Sequence, residues 1–238
     1  GLDWTEKHLM GMVQGERQAQ AAVEMARAVA GGADELRRRP ILSDLIGTVS
    51  PAGGNFEEPV TQATLATVKA FLGLSADRAY KRAYPAIDPL LSWSRYLEQL
   101  RPWFERQLPG WTAKVEWALA LLRRGEAVYQ MMQVTGEEGV SLEDFVIYQK
   151  AWLLDIAYLQ QNAYDPVDVS TPLERQEKVF SLLVEVLQRG YEFADKERAR
   201  RFFLRVAELF RNLNYAPTDS DAFSEYLAAI QNLSEKSV

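Results

Sequence analysis

The chain has 238 residues, no cysteine, one histidine, and 27 basic against 33 acidic side chains, with 47% hydrophobic content. The absence of cysteine excludes a disulfide scaffold, a thiolate metal site and a cysteine nucleophile, and His8 alone cannot build a multi-histidine metal centre. A net charge of −6 gives no electrostatic reason to expect nucleic-acid binding. The length is ample for a real core, and no apolar run is long enough to span a bilayer. A start at Gly1 raises the expectation of an internal or C-terminal piece of something larger.

In chain order, Glu16 to Ala30 reads as an alanine-rich helix closed by Gly31-Gly32, followed by the basic string Arg37-Arg38-Arg39-Pro40. Ile41 to Val49 is an apolar, β-branched run that predicts one buried strand. A lone helix–strand unit cannot close a sheet, so this segment lacks its parent sheet. From residue 59 onward the periodicity predicts an all-α bundle, with helices at 59–72, 87–106, 111–134, 142–160, 172–189, 196–213 and 220–233. The apolar stripes are Phe145, Tyr148, Trp152, Ile156 and Leu159, then Val179, Leu182, Leu183, Val186 and Leu187. A third comprises Phe202, Phe203, Val206, Leu209, Phe210 and Leu213. Thr171-Pro172-Leu173-Glu174 reads as a capping box with proline at the first helical position, and Ser141-Leu142-Glu143-Asp144 as a looser version. Gly136 and Gly190 stand where left-handed helix caps are expected. The fold class is therefore mainly α: a C-terminal helical bundle preceded by a short helix–strand segment.

Few residues carry chemistry. Ser50-Pro51-Ala52-Gly53-Gly54-Asn55 has a glycine pair able to bring backbone N–H groups to a phosphate. The chain contains no G-x-x-x-x-G-K-[ST] motif, so a turn from strand to helix is the better reading. Glu57 and Glu58 form a carboxylate pair but precede Pro59, where negative charge favours a helix start. His8 reads as a solvated histidine. Arg198, Arg200, Arg201 and Arg205 lie among Asp195, Glu197 and Glu208 and read as a salt-bridged face, only weakly as a partner contact. The segment from Leu159 to Asp168, with Gln160, Gln161, Asn162 and Tyr164, leaves two readings open. Its amides can satisfy the last carbonyls of the preceding helix, which residue chemistry alone favours. Alternatively, the amides and the tyrosine face can receive a flat heterocycle such as a purine.

Three blocks carry a family resemblance. Pro51-Ala52-Gly53-Gly54-Asn55-Phe56-Glu57-Glu58-Pro59-Val60-Thr61-Gln62 resembles the segment that leads from the nucleotide domain into the C-terminal helices in catalytic A subunits of V-type/A-type rotary ATPases. Tyr84-Pro85-Ala86-Ile87-Asp88-Pro89-Leu90-Leu91-Ser92-Trp93-Ser94 and Gln160-Gln161-Asn162-Ala163-Tyr164, continuing to Val167-Asp168, resemble two further blocks in the family's order. The resemblance covers about residues 47–238. It implies that 51–238 form the helical domain at the C-terminal end of the A subunit. It further implies that an aromatic at the position of Tyr164 packs on adenine, making Gln161, Asn162 and Tyr164 the ATP/ADP contacts and raising that reading above the cap.

The family's P-loop lysine, catalytic carboxylate and Mg-binding hydroxyl belong upstream of this region, so no catalytic or metal-binding residue is expected here, nor ATP hydrolysis by this chain alone. Implied partners are the B-type subunit and the central rotor subunit, the latter facing the Gly136 to Asp144 turn. The implied location is cytoplasmic, peripheral to a membrane through the complex, with H⁺ or Na⁺ as coupling ion chosen elsewhere. Residues 1–50 depart from that pattern. Ala21-Ala22-Val23-Glu24-Met25-Ala26-Arg27-Ala28-Val29-Ala30-Gly31-Gly32, running on to Arg39-Pro40-Ile41-Leu42-Ser43, resembles the trimethylamine methyltransferase family of strand–helix barrels, with a seam expected around Thr48 to Pro51. Two alternatives accompany the leading reading: a methyltransferase-family fragment, and a non-catalytic helical interaction module.

Overall fold

The computed structural model describes residues 54–235. The helix expected at 16–30, the strand at 41–49, His8 and the first residues of the glycine-rich loop lie outside the described residues. The chain divides into two compact units, 1–62 and 63–238.

In the first unit, Gly54 has φ 73°, a conformation that suits glycine. Asn55 Oδ1 accepts the Glu57 N–H at 3.0 Å, and Gln62 Nε2 donates to the Phe56 carbonyl at 2.7 Å. Helix α1, Pro59–Thr67, opens here with proline in its first turn. Glu58 lies just ahead of it and accepts from Thr61 Oγ1, which agrees with the helix-start reading of the Glu57–Glu58 pair.

The second unit is mainly helical. Strand β1 (Ala70–Phe71) pairs antiparallel with β2 (Trp93–Ser94), and α2 (Ala76–Tyr80) lies between them in sequence. There follow α3 (Tyr96–Gln107), α4 (Trp111–Thr135), a 3₁₀ turn (Glu137–Gly139), α5 (Leu142–Leu154) and a π turn (Asp155–Leu159). The chain then forms α6 (Leu173–Gln188), α7 (Lys196–Tyr215) and α8 (Asp221–Glu235). Leu153, Leu154, Leu183, Leu187, Phe203, Val206, Phe210, Leu213, Phe223 and Ile230 are the fully buried centre.

Helix α6 organises this core. The whole predicted stripe from Val179 to Leu187 is buried, and Phe180 and Val184 beside it are buried as well, so the helix is enclosed on more than one side. Helix α7 follows its predicted stripe at Phe203, Val206, Phe210 and Leu213, while Phe202 and Leu209 are only partly buried. In α5 the buried set is Phe145, Gln149, Ala151, Leu153 and Leu154, not the Tyr148 and Trp152 line that strict periodicity selected. The wider π turn that continues α5 then buries Ala157.

The structure corrects several sequence expectations. The helix expected at 59–72 stops at Thr67, because Phe71 turns to meet Trp93 across the small sheet at 6.1 Å. The helix expected at 87–106 starts only at Tyr96. Ahead of it, Asp88 Oδ1 accepts the Leu90 and Leu91 N–H groups, and Ser92 Oγ donates to the Asp88 carbonyl. Such side chain–backbone bonds give the chain an alternative to helix. Pro172 is the residue before the first helical turn of α6, with ψ 152°, so the Thr171 capping box does not form. Gly190 does not adopt a left-handed cap, since the Arg189 carbonyl is instead met by Lys150 Nζ of α5 at 2.8 Å. Ser141 does cap α5, accepting from the Asp144 N–H at 3.1 Å, and Gly136 closes α4 at positive φ (75°), though its ψ of 166° is not that of the left-handed cap expected.

The close approach of α4 and α5 has no counterpart in the sequence pattern. A Cβ on Gly125 would lie 2.2 Å from the Ala151 Cβ, so only glycine fits. Gly125→Ala should therefore destabilise the bundle by about 1–3 kcal/mol, outweighing a helix-propensity gain of up to ~1 kcal/mol. Urea denaturation measures this, and an unchanged or raised midpoint would show that the two helices can separate freely.

Candidate functional site

The segment after α5 is built from its own polar side chains. The Gln160 N–H donates to the Asp155 carbonyl at 3.0 Å, closing the π turn. The Gln161 N–H then donates to the Tyr84 carbonyl at 2.6 Å, and Gln161 Nε2 donates to the Asp168 carbonyl at 3.1 Å. The Asn162 N–H donates to Asp168 Oδ2 at 2.6 Å, while Asn162 Oδ1 accepts the Tyr164 N–H at 3.0 Å. Asp165 Oδ1 takes the N–H groups of Val167 and Asp168, both at 2.9 Å. The loop is thus tied across its mouth from 161–162 to 168. Tyr164, at its tip, is 86% exposed.

All three sequence-selected residues, Gln161, Asn162 and Tyr164, fall on this one loop, but in different roles. Gln161 and Asn162 hold loop backbone and a neighbouring helix, the latter through Nδ2 to Tyr215 Oη at 3.4 Å. Neither amide satisfies the closing carbonyls of α5. Tyr164 offers an open aromatic ring on a backbone fixed by its neighbours.

Below the loop lie two charged groups that sequence reasoning did not single out as partners. Asp168 is 7% exposed and Arg175 4%. Burial pushes the Asp168 carboxyl above the usual carboxylate range, with Asp165 adding to the effect, while the Asn162 N–H and Arg175 oppose it. Burial also lowers the Arg175 guanidinium from its ordinary value. That guanidinium donates from Nη1 to the Ala216 carbonyl (2.8 Å) and Thr218 Oγ1 (3.1 Å). From Nη2 it donates to the Leu213 (3.0 Å) and Asn214 (2.8 Å) carbonyls. It caps the end of α7 together with the Ala216 N–H, which also donates to the Leu213 carbonyl at 3.2 Å. Asn214 Nδ2 in turn reaches the Ala157 carbonyl in the π turn at 2.8 Å.

At the other end of α5, the 136–141 turn is gripped by α7. Lys196 Nζ donates to the Glu137 carbonyl, and Arg200 pairs with both Glu137 and Glu197. Arg198 and Arg201 pair within their own helix with Asp195 and Glu197, as a salt-bridged face should. Among the described residues no group of three or more His, Cys, Asp or Glu is placed to hold a metal ion, and no helix is long and apolar enough to cross a membrane.

The raised Asp168 carboxyl sets a pH dependence. The folded chain keeps its proton longer than the unfolded chain, so this group favours folding at low pH. That contribution is lost as pH climbs from the ordinary carboxylate value through the raised one. Asp168→Asn keeps an oxygen acceptor for the Asn162 N–H and removes the titration. Urea unfolding between about pH 4 and pH 7 should show wild type losing more stability with rising pH than Asp168→Asn, and parallel profiles would contradict the assignment.

Residues 102–194 match the C-terminal domain of V and A type ATP synthase. Residues 44–94 match the nucleotide-binding domain of the ATP synthase alpha/beta family. The V-type ATP synthase alpha chain of Chlamydia pneumoniae is 48% identical over 194 residues, covering 82% of this chain and 33% of that protein. The alpha chain of Treponema denticola is 48% identical over 191 residues, 80% of this chain and 31% of that protein. The alpha chain of Protochlamydia amoebophila is 45% identical over 190 residues, 80% of this chain and 32% of that protein. A solved ATP synthase subunit, NeqB from Nanoarcheaum equitans, aligns at 18% identity with TM-score 0.45, over 58% of this chain and 33% of that one. The C-terminal region of this chain matches the V-type ATP synthase alpha chain and spans about a third of the length of those relatives.

Proposed function

We propose that residues 51–238 act as the C-terminal helical domain of an ATP-hydrolysing or ATP-synthesising alpha chain, forming the adenine-side wall of its nucleotide site and coupling that site to a rotor. The observation that carries this reading is the Tyr164 ring, 86% exposed on a loop whose backbone is fixed by Gln161, Asn162 and Asp168. A ring held this way gives a stacking face whose ordering cost is met in advance. Gln161 and Asn162 keep the backbone in place and border the base.

The adenine contact is the whole of this region's share in binding ATP or ADP. The sequence has no P-loop motif to cradle phosphates. Phosphate positioning, Mg binding and the chemical step are therefore assigned to other parts of the alpha chain. The B-type subunit and a central rotor subunit are the proposed partners, the rotor meeting the 136–141 turn that Lys196 and Arg200 brace. The proposed location is at the cytoplasmic face of a membrane, reached through the complex. Residues 1–46 are proposed to be of separate, methyltransferase-like character on the strength of the Ala21 to Ser43 string. Genomic DNA across codons 40–55 tests that: an uninterrupted native frame is expected of a true fusion, and a break in the frame contradicts it.

Two measurements test the main proposal. The 238-residue chain titrated with ATP should bind weakly or not at all and show no turnover; robust hydrolysis would overturn the division of labour. In an assembled complex whose alpha chain carries this region, Tyr164→Ala should raise KM for ATP by roughly 5- to 100-fold, the range expected for losing one base–aromatic stack. Tyr164→Phe should stay close to wild type. Equal KM values for wild type and Tyr164→Ala would remove Tyr164 from the site.

A further inference from the structure

Arg78 and Asp155 are 77 positions apart in sequence and meet through a two-pronged ion pair, Nη2 to Oδ1 at 2.7 Å and Nη1 to Oδ2 at 3.1 Å. The side chains are only 16% and 27% exposed. This matching of a planar fork to a carboxylate is the strong form of the interaction and fixes direction as well as distance. Arg78 lies within the stretch that matches the nucleotide-binding domain, and Asp155 within the stretch that matches the C-terminal domain. The pair therefore joins the two matched regions.

Both ends of this contact are firmly set. The Arg78 N–H is held by Ser75 Oγ, and its carbonyl accepts the Ala83 N–H at 2.9 Å. Asp155 opens the π turn. Its carbonyl accepts the Gln160 N–H, and its Oδ2 also receives Gln160 Nε2 at 3.4 Å. One residue on, the Gln161 N–H donates back to the Tyr84 carbonyl at 2.6 Å. The 78–84 segment thus grips the 155–161 segment at both ends, immediately before the loop that carries Tyr164. Toward its start, α5 reaches the 136–141 turn over about 20 Å of helix.

We infer that Asp155 and Arg78 are positioning residues, forming with the Tyr84–Gln161 bond the joint through which displacement of the 76–84 segment passes to the Tyr164 loop and into α5. The inference rests on the reading of that loop as the adenine wall only for its functional meaning; the joint itself can be tested without nucleotide.

Hydrogen exchange on the full 238-residue chain provides that test. Arg78→Ala and Arg78→Lys, which keeps the charge but loses the fork, should each raise exchange at 160–164 and at 82–84. For the alanine variant the rise should be about tenfold or more, as expected for losing a charge-assisted pair. Amides in the α6 and α7 core should stay at wild-type rates, and the double exchange Arg78→Asp with Asp155→Arg should return 160–164 toward wild type. Unchanged exchange at 160–164 in both Arg78 variants would overturn the joint. So would an equal rise throughout the core in both, which would make the pair a general stability contact. In the assembled complex, Asp155→Asn should raise KM for ATP in wild type but add nothing in a Tyr164→Ala background. If Tyr164→Ala itself leaves KM unchanged while the exchange effects hold, the adenine reading fails and the joint stands.

Discussion

The guanidinium of Arg175 is the constraint on which the lower end of the bundle depends. It is buried and, among the described residues, pairs with no carboxylate; it donates to three backbone carbonyls and one hydroxyl around the end of α7. It also lies over the Phe223 ring of α8 at 5.1 Å. A buried cation is costly unless its donors are satisfied, and helix-end carbonyls are costly unless they are capped. Each problem is the other's solution here. One side chain of α6 consequently ties the end of α7 to Phe223 of α8, and Asp168 sits close enough to oppose its loss of charge.

From that fixed end the order spreads upward. With the end of α7 held, Asn214 reaches the π turn and Tyr215 reaches Asn162, so the loop bearing Tyr164 stands on a helix that cannot easily shift. At the far end, the same α7 clasps the 136–141 turn through Lys196 and Arg200, both also lying over the Phe145 ring. α5 and α7 thus pack on each other between the loop and the turn, and α7 buries Phe203, Val206 and Phe210 in the core. Two struts tied at both ends transmit a displacement better than one, because neither can rotate without breaking contacts of the other. That is the physical basis for the coupling role proposed for this domain.

Much of this was readable from the chain, and the unreadable part has a common cause. The stripe from Val179 to Leu187, the Ser141 cap and the Gly136 stop depend on near neighbours in sequence, and all three appear in the structure. The Tyr164 loop was found from its clustered amides and its family resemblance, although the amides hold the loop and do not cap α5. Gly190 misled because its helix end is satisfied by Lys150, 40 positions upstream in sequence. Arg78–Asp155, Gly125 against Ala151, and Arg175 under α7 are all meetings of distant residues, for which a single sequence carries no periodic signal. The small sheet at 70–71 and 93–94 was hidden by its brevity, since two-residue strands show no alternation.

The proposed place of Tyr164 is against adenine when the complex holds nucleotide. An electron cryo-microscopy map of the assembled enzyme carrying this region, with ATP or ADP bound, measures it directly. The Tyr164 ring is expected to stack on the base at about 3.5–4 Å, the distance of ordinary carbon–carbon contact, with the Asn162–Asp168 tie intact. A base bound elsewhere, with Tyr164 left in solvent or buried against another subunit, would contradict it.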